Sequence, residues 1–239
     1  MRSPARRLYD WTQPLLMAVV NRLALAVLIV VSCLPLDVLA QASAAAASAL
    51  PRPAAAAARR TGAVAIDGRL DDVAWRAAPV ITGFVQKEPV ERARAEHQTE
   101  VRILFDDEAI YVGARMHDPE PASIARQLVR RDEEGNADWF AVGFDPRRDR
   151  RTAYVFQLSA ANVQRDQYLF NDDDSDDAWD AVWQSAARID SAGWTAELRI
   201  PLSQLRYETS DGEQIWGVNF ARGRPRTNEE THLDRKSVV

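Results

Sequence analysis

Three of the seven tryptophans in this chain have the sequence context of exposed stacking surfaces. Trp139 is out of phase with the apolar positions of residues 140–144, so its indole falls on the opposite face of that predicted strand. Trp179 and Trp183 flank an acidic segment. An indole that reaches solvent can stack on the flat apolar face of a ligand, whereas a buried indole packs a core or an interface. We predict that these three rings are partly exposed, and for each of them both roles stay open.

The acidic run at residues 171–177, NDDDSDD, has the oxygen ligands and the spacing that Ca²⁺ prefers. Its candidate ligands are Asp172, Asp174 and Asp176. The alternative is a solvated loop, because the run has no glycine for a tight turn and its carboxylates repel one another when no metal is bound.

Catalytic patterns are sparse in the chain. His97, His117 and His232 lack the spacing of a zinc site, and no serine lies in a nucleophile elbow. The acidic residues cluster on predicted turns, as solvated caps do. This pattern does not suggest the two facing carboxylates that glycoside hydrolysis requires. We therefore expect a binding protein that is not itself an enzyme.

Composition and charge narrow the range of protein classes to which this chain could belong. The chain has 239 residues, of which 46% are hydrophobic and 27% charged, which suits one globular domain with a leader. Its net charge is -5, and the arginines are interleaved with acids, so the sequence predicts no nucleic-acid partner. The single cysteine, Cys33, lies in the leader, which leaves the folded part without a disulfide.

The first sixty residues predict export. Residues 1–40 resemble a signal peptide, because arginines precede an apolar run at residues 23–31 that is too short to span a bilayer. Small residues allow cleavage before Gln41, and a second interpretation is a lipobox that ends at Cys33. The Ala/Pro-rich residues 41–60 are predicted to be a linker. The expected location is the periplasm, the outer membrane or the extracellular space.

From residue 61 onward, short alternating segments separated by turns predict an all-β antiparallel sandwich. In residues 193–201 every second side chain from Trp194 to Ile200 is apolar, and Pro201 ends the strand. Trp75, Trp194 and Trp216 occupy core-facing positions. Further strands are predicted at residues 101–105, 110–116, 140–144, 154–158, 164–170, 181–189 and 216–221.

Several blocks of the chain carry a family resemblance. Residues 65–75 read AIDGRLDDVAW, residues 99–119 TEVRILFDDEAIYVGARMHDP and residues 138–145 DWFAVGFD. In this order they resemble the family 9 carbohydrate-binding modules found on xylanases. The segments WDAVW, GWTAELRIPLSQLRY and WGVNFAR are similar to a subfamily at the amino terminus of large bacterial envelope proteins. The resemblance implies a non-catalytic module that binds a polysaccharide or oligosaccharide in polysaccharide breakdown by O-glycosyl hydrolases, with outer-membrane association through a further region.

The resemblance also bears on the binding site. In the xylanase modules a tryptophan clamps the sugar just before the third block, and in this chain that place falls in residues 133–136, which contain no aromatic. An arginine that touches sugar in those modules matches Gln157, which still forms hydrogen bonds. One alternative is a structural or protein-interaction sandwich without a sugar site. Another is a haem domain, since related sandwiches bind haem through a methionine, although Met116 continues the core face of its strand.

The carboxyl end is expected to be incomplete. Residues 234–239, DRKSVV, match what a common sequencing adapter encodes before a stop codon. We therefore expect the sandwich to occupy residues 61–233 and to lack its carboxyl-terminal strands, with a natural polar tail as the alternative.

Overall fold

The computed structural model describes residues 55–171, 174–208 and 214–233. The predicted signal peptide, most of the predicted linker and the tail at residues 234–239 lie outside these residues. The described part forms two β-sheets packed face to face, which confirms the predicted sandwich. Its helices are short 3-10 helices at Val73–Ala77, Pro121–Ser123, Leu202–Gln204 and Pro225–Thr227. None of the described helices is long and apolar enough to cross a membrane.

One sheet has five strands in the order β1-β3-β4-β10-β9. The short β1 runs parallel to β3, and the other neighbours are antiparallel. The strands of this sheet are β1 (Ala58–Arg59), β3 (Thr99–Phe105), β4 (Ala109–His117), β9 (Gln184–Asp190) and β10 (Gly193–Pro201).

The other sheet has seven strands in the order β2-β12-β11-β5-β6-β7-β8, all antiparallel to their neighbours. Its strands are β2 (Phe84–Glu88), β5 (Trp139–Asp145), β6 (Ala153–Ser159), β7 (Gln164–Phe170), β8 (Asp174–Asp176), β11 (Gly217–Arg224) and β12 (Glu229–Leu233).

The main core lies between the two sheets and is built by the period-two alternation of their strands. Trp194 is fully buried there, as predicted, and Phe140 and Phe156 face it from the other sheet. Met116 is also fully buried in this core, which agrees with its predicted packing role. Trp216 is half-buried at the margin, where its ring meets Phe144 edge-on at a centroid distance of 6.3 Å.

A second core covers the outer face of the five-stranded sheet. Residues 58–78, which we call the strap, lie across β3, β4 and β10, and Trp75 of the strap is buried against them, as predicted. The anchor is Glu197 on β10, whose carboxylate is fully buried. It accepts hydrogen bonds from the backbone N–H groups of Asp67 and Gly68 at 3.0 and 2.8 Å, and from the Trp75 indole at 3.0 Å. Period-two alternation places Glu197 on this outer face, and the strap removes the face from solvent.

The structure corrects several boundaries. The predicted linker at residues 41–60 ends too late, because Ala58–Arg59 form β1 and the backbone N–H of Arg60 donates to Phe105 O at 2.8 Å. The strand predicted at residues 181–189 begins at Gln184. No strand was predicted at Glu229–Leu233, where β12 pairs with β11 on one side and with β2 on the other.

Candidate functional site

On the outer face of the seven-stranded sheet, the adjacent strands β5 and β11 form a floor in which three of four paired residues are Ala or Gly. Across these strands Ala141 pairs with Ala221 and Gly143 with Asn219. Longer polar side chains stand on the neighbouring strands β6 and β12, which lie about 14 Å apart, or three strand spacings. This face therefore forms a shallow trough between two polar walls, and we refer to it as the trough.

Trp139 lies at one end of the trough. It is half-buried, and its register partner on β11 is Gly223. A Cβ atom added at Gly223 would lie 2.2 Å from the Trp139 indole Nε1, so the ring rests directly on the glycine backbone. One face of the indole thus covers β11 and the other is turned away from the sheet. The prediction that Trp139 faces away from the core is confirmed.

The first wall of the trough comes from β6 and β7. Gln157 is half-buried on the outer face, where it pairs with Ala141 on one side and with Arg165 on the other. The guanidinium of Arg165 donates to Glu134 at 2.8 Å. This wall presents a carboxamide and a guanidinium, which are planar groups able to form hydrogen bonds with hydroxyls along an edge.

The second wall comes from β12 and β2 and was missed by sequence reasoning. Glu230 and His232 lie on the outer face of β12, with their side chains in contact at 2.6 Å, and Lys87 on β2 reaches Glu230 at 3.6 Å. Burial would raise the pKa of Glu230, but the hydrogen bond from His232 and the charge of Lys87 outweigh it, so the pKa is lowered. The signal in the sequence was the alternation of these residues with Thr231 and Leu233, which are buried.

A buried charged cluster supports the trough at the Trp139 end. Asp138 is fully buried, and the backbone N–H of Ala125 donates to it at 3.2 Å. Burial raises the pKa of Asp138 and lowers that of the nearby Arg222 to about 10. Arg222 donates to the backbone oxygen of His117 at 2.9 Å, which links β11 to the opposite sheet. Arg222 thus ties β11, on which the Trp139 ring rests, to the opposite sheet.

The other two predicted stacking residues lie elsewhere. Trp183 is buried in the main core, and its indole donates to Asp166 at 3.1 Å, so the prediction that it is partly exposed is wrong. Trp179 is half-buried against the core, with its ring 5.2 Å from that of Tyr154 and 5.7 Å from that of Phe156. Only Trp139 of the three contributes to the trough.

The acidic run is partly described. Asp174 and Asp176 lie on β8, an edge strand paired with β7, which corrects the expected loop at these positions. Asp172 lies outside the described residues. Within the described ranges no three His, Cys, Asp or Glu side chains are grouped so that they could hold a metal. The calcium hypothesis stays a prediction.

Comparison with known proteins was made at the levels of sequence and structure. The carbohydrate family 9 binding domain-like family model matches residues 66–232. A family 9 carbohydrate-binding module from Caldicellulosiruptor kristjanssonii, in complex with cellotriose, has a TM-score of 0.52 at 17% identity, covering 74% of this chain and 82% of that one. The module from that organism in complex with glucose also has a TM-score of 0.52 at 17% identity, over 74% of this chain and 84% of that one.

A third solved structure, a candidate carbohydrate-binding protein of Bacteroides uniformis, has a TM-score of 0.59 at 10% identity, over 76% of this chain and 89% of that one. At these identities the structures share the fold. No curated protein sequence matches the chain at a significant level. Because the family model spans more than half of the sequence, this chain belongs to the carbohydrate family 9 binding domain-like family.

Proposed function

We propose that the trough binds an oligosaccharide or a segment of polysaccharide without catalysis. The observation that carries the proposal is the Trp139 indole, which rests on Gly223 with its second face turned away from the sheet. A sugar ring offers a flat CH face to such an indole and hydroxyls along its edges. At those edges the Gln157 carboxamide could both donate and accept hydrogen bonds, and the Glu230 carboxylate could accept them.

Family membership supports this assignment, and the related module from Caldicellulosiruptor kristjanssonii was solved with cellotriose and with glucose. We therefore take gluco- and xylo-oligosaccharides as the first ligands to test. The leader-like residues 1–40 support an exported protein. In that setting we assign it a role beside O-glycosyl hydrolases in polysaccharide breakdown, with outer-membrane association through a further region.

A second candidate function is a structural or protein-interaction sandwich. It is favoured by the absence of aromatic residues where the xylanase modules clamp their ligand. Residues 133–136, which match the place of that clamp, are E-E-G-N. Within the described residues, Trp139 alone offers a ring to a sugar in the trough, which predicts weak binding.

Isothermal titration of the full chain with cello- and xylo-oligosaccharides separates the two functions. We expect measurable binding that falls about tenfold in Trp139→Ala, since loss of one aromatic contact is worth up to about 1.5 kcal/mol. Trp179→Phe is the matched control, because it keeps a ring against Tyr154 and Phe156 and lies outside the trough. An unchanged affinity in Trp139→Ala would remove the trough as the site, and no binding by the wild type would favour the structural function.

A further inference from the structure

The opposite side of the sandwich carries a second cavity. It is a shallow, open pocket on the outer face of the five-stranded sheet, beside the strap, with a volume of about 420 Å³ and a mainly polar lining. Its floor is a row of register partners across three strands: Tyr111 on β4, Arg199 on β10 and Gln184 on β9. Val64 and Ile66 of the strap form an apolar wall.

Arg199 is the charged group of this cavity. Its side chain is 26% exposed, and its Nη2 lies 3.3 Å from a carboxylate oxygen of Glu108, whose side chain is 80% exposed. Exposed ion pairs of this kind contribute little, because water competes for both charges. The guanidinium also lies over the Tyr111 ring, 5.9 Å from its centroid, which limits where the cation can move.

Two arginines lie near Tyr111, and of these Arg199 has the weaker anionic partner. Arg60 stacks on the same Tyr111 ring at 5.3 Å but lies 2.7 Å from Asp106. Asp106 is engaged further by the Tyr111 hydroxyl at 3.0 Å and by the backbone N–H of Ala109 at 2.8 Å. Asp106 is therefore already engaged by Arg60, Tyr111 and Ala109.

The second polar group of the cavity is the carboxamide of Gln184, an exposed residue on β9. A guanidinium and a carboxamide N–H₂ on neighbouring strands lie about 5 Å apart at their backbones, so both can donate to one anionic group. The apolar wall of Val64 and Ile66 suits a carbon skeleton attached to that group.

We propose that this cavity binds a small carboxylate with a short carbon skeleton. The carboxylate would accept hydrogen bonds from Arg199 and Gln184, and the skeleton would lie against Val64 and Ile66. The ligand replaces Glu108 as the partner of Arg199. This site lies on the other side of the molecule from the trough and does not depend on sugar binding there.

The test is an NMR titration of the full chain that follows the Gln184 side-chain amide and the Arg199 Nε–H. The probes are sodium propionate and sodium glucuronate, which distinguish an aliphatic acid from a sugar acid, with glucose and sodium chloride as controls at matched ionic strength. We expect at least one of the two carboxylates to shift these signals in a saturable way and glucose to leave them in place. If neither carboxylate shifts them, or if glucose shifts them equally, the proposal is overturned.

Three variants sharpen the result. Arg199→Gln should weaken carboxylate binding roughly tenfold, because a charge-assisted hydrogen bond is lost. Glu108→Gln should strengthen it severalfold by removing the competing carboxylate, and this variant keeps the floor of the cavity intact. Arg188→Gln, at an exposed position on β9 outside the cavity, is the control and should leave binding unchanged. Weaker binding in Glu108→Gln would contradict the proposed exchange of partners.

Discussion

Both outer faces of this sandwich arise from the period-two alternation of side chains along the strands. One face is covered by the strap, and the other is not. On the five-stranded sheet the outer positions carry Tyr111 and Glu197, and the strap covers them, so a carboxylate becomes fully buried with three hydrogen-bond donors. On the seven-stranded sheet the outer positions of β5 and β11 are small, and a single indole rests on Gly223. The first face is mostly a covered core, with an open pocket only beside the strap, whereas the second face is left uncovered along its length.

The largest expected effect is on stability, and it separates a core tryptophan, Trp194, from the trough tryptophan, Trp139. Trp194→Ala should lower the free energy of unfolding by about 3–5 kcal/mol, since it opens a cavity in the main core. Trp139→Ala should cost less than about 1 kcal/mol, because the ring is half-buried on an outer face. Urea denaturation of both variants measures the difference, and equal losses would contradict the division between the two regions.

The covered face should also respond to pH. Burial raises the pKa of Glu197 from its usual range to about 7, despite its three hydrogen-bond donors. The folded protein therefore binds this proton more tightly than the unfolded chain does. The stability that Glu197 contributes is fully present below about pH 4.5 and is lost as the pH rises through about 7, by up to about 3 kcal/mol.

Thermal unfolding between pH 5 and pH 8.5 tests this pH dependence. Glu197→Gln is the control, because the carboxamide does not titrate, and its melting temperature should fall less over that interval than that of the wild type. Parallel curves for the two proteins would show that Glu197 does not titrate in this interval.

Oligosaccharide binding at the trough should be sensitive to one methyl group added at Gly223. Gly223→Ala places a Cβ 2.2 Å from the Trp139 indole, so the ring must leave the sheet, and we expect oligosaccharide affinity to fall about tenfold. Gly143→Ala is the matched control on the trough floor, since the nearest atom to its Cβ would be Val155 Cγ2 at 3.6 Å, an ordinary contact. Equal affinities of the two variants in isothermal titration would exclude the glycine as the support of the ring.

The smallest effect concerns the edge of the strap. A chain that begins at residue 62 lacks β1 and the ion pair between Arg60 and Asp106, which are 2.7 Å apart. Relative to a chain that begins at residue 55, it should lose about 1 kcal/mol of stability, since a few backbone hydrogen bonds and one part-exposed ion pair are removed. Melting temperatures of the two truncated chains measure this loss, and identical values would mean that β1 adds nothing.

Alternation predicted the long strands well because both of their faces have a clear polarity. It located β3, β4 and β10 to within a few residues, and it placed Trp139 on the correct face. It missed β12, whose five residues include two glutamates and a histidine, so the second wall of the trough went unseen. Trp183 was misplaced because its partner, Asp166, lies 17 positions away in the sequence, and only the fold brings that acceptor to the indole.

The most direct test of the trough is to watch its tryptophan while sugar is added. In an NMR titration of the full chain with cellotriose, the indole N–H signal of Trp139 should shift in a saturable way, together with the backbone signals of Ala141, Ala221 and Gly223. The buried indoles of Trp75 and Trp194 should keep their positions, because they belong to the two cores. Saturable shifts at other residues with Trp139 unchanged, or no shifts with any gluco- or xylo-oligosaccharide, would contradict the assignment of sugar binding to this face.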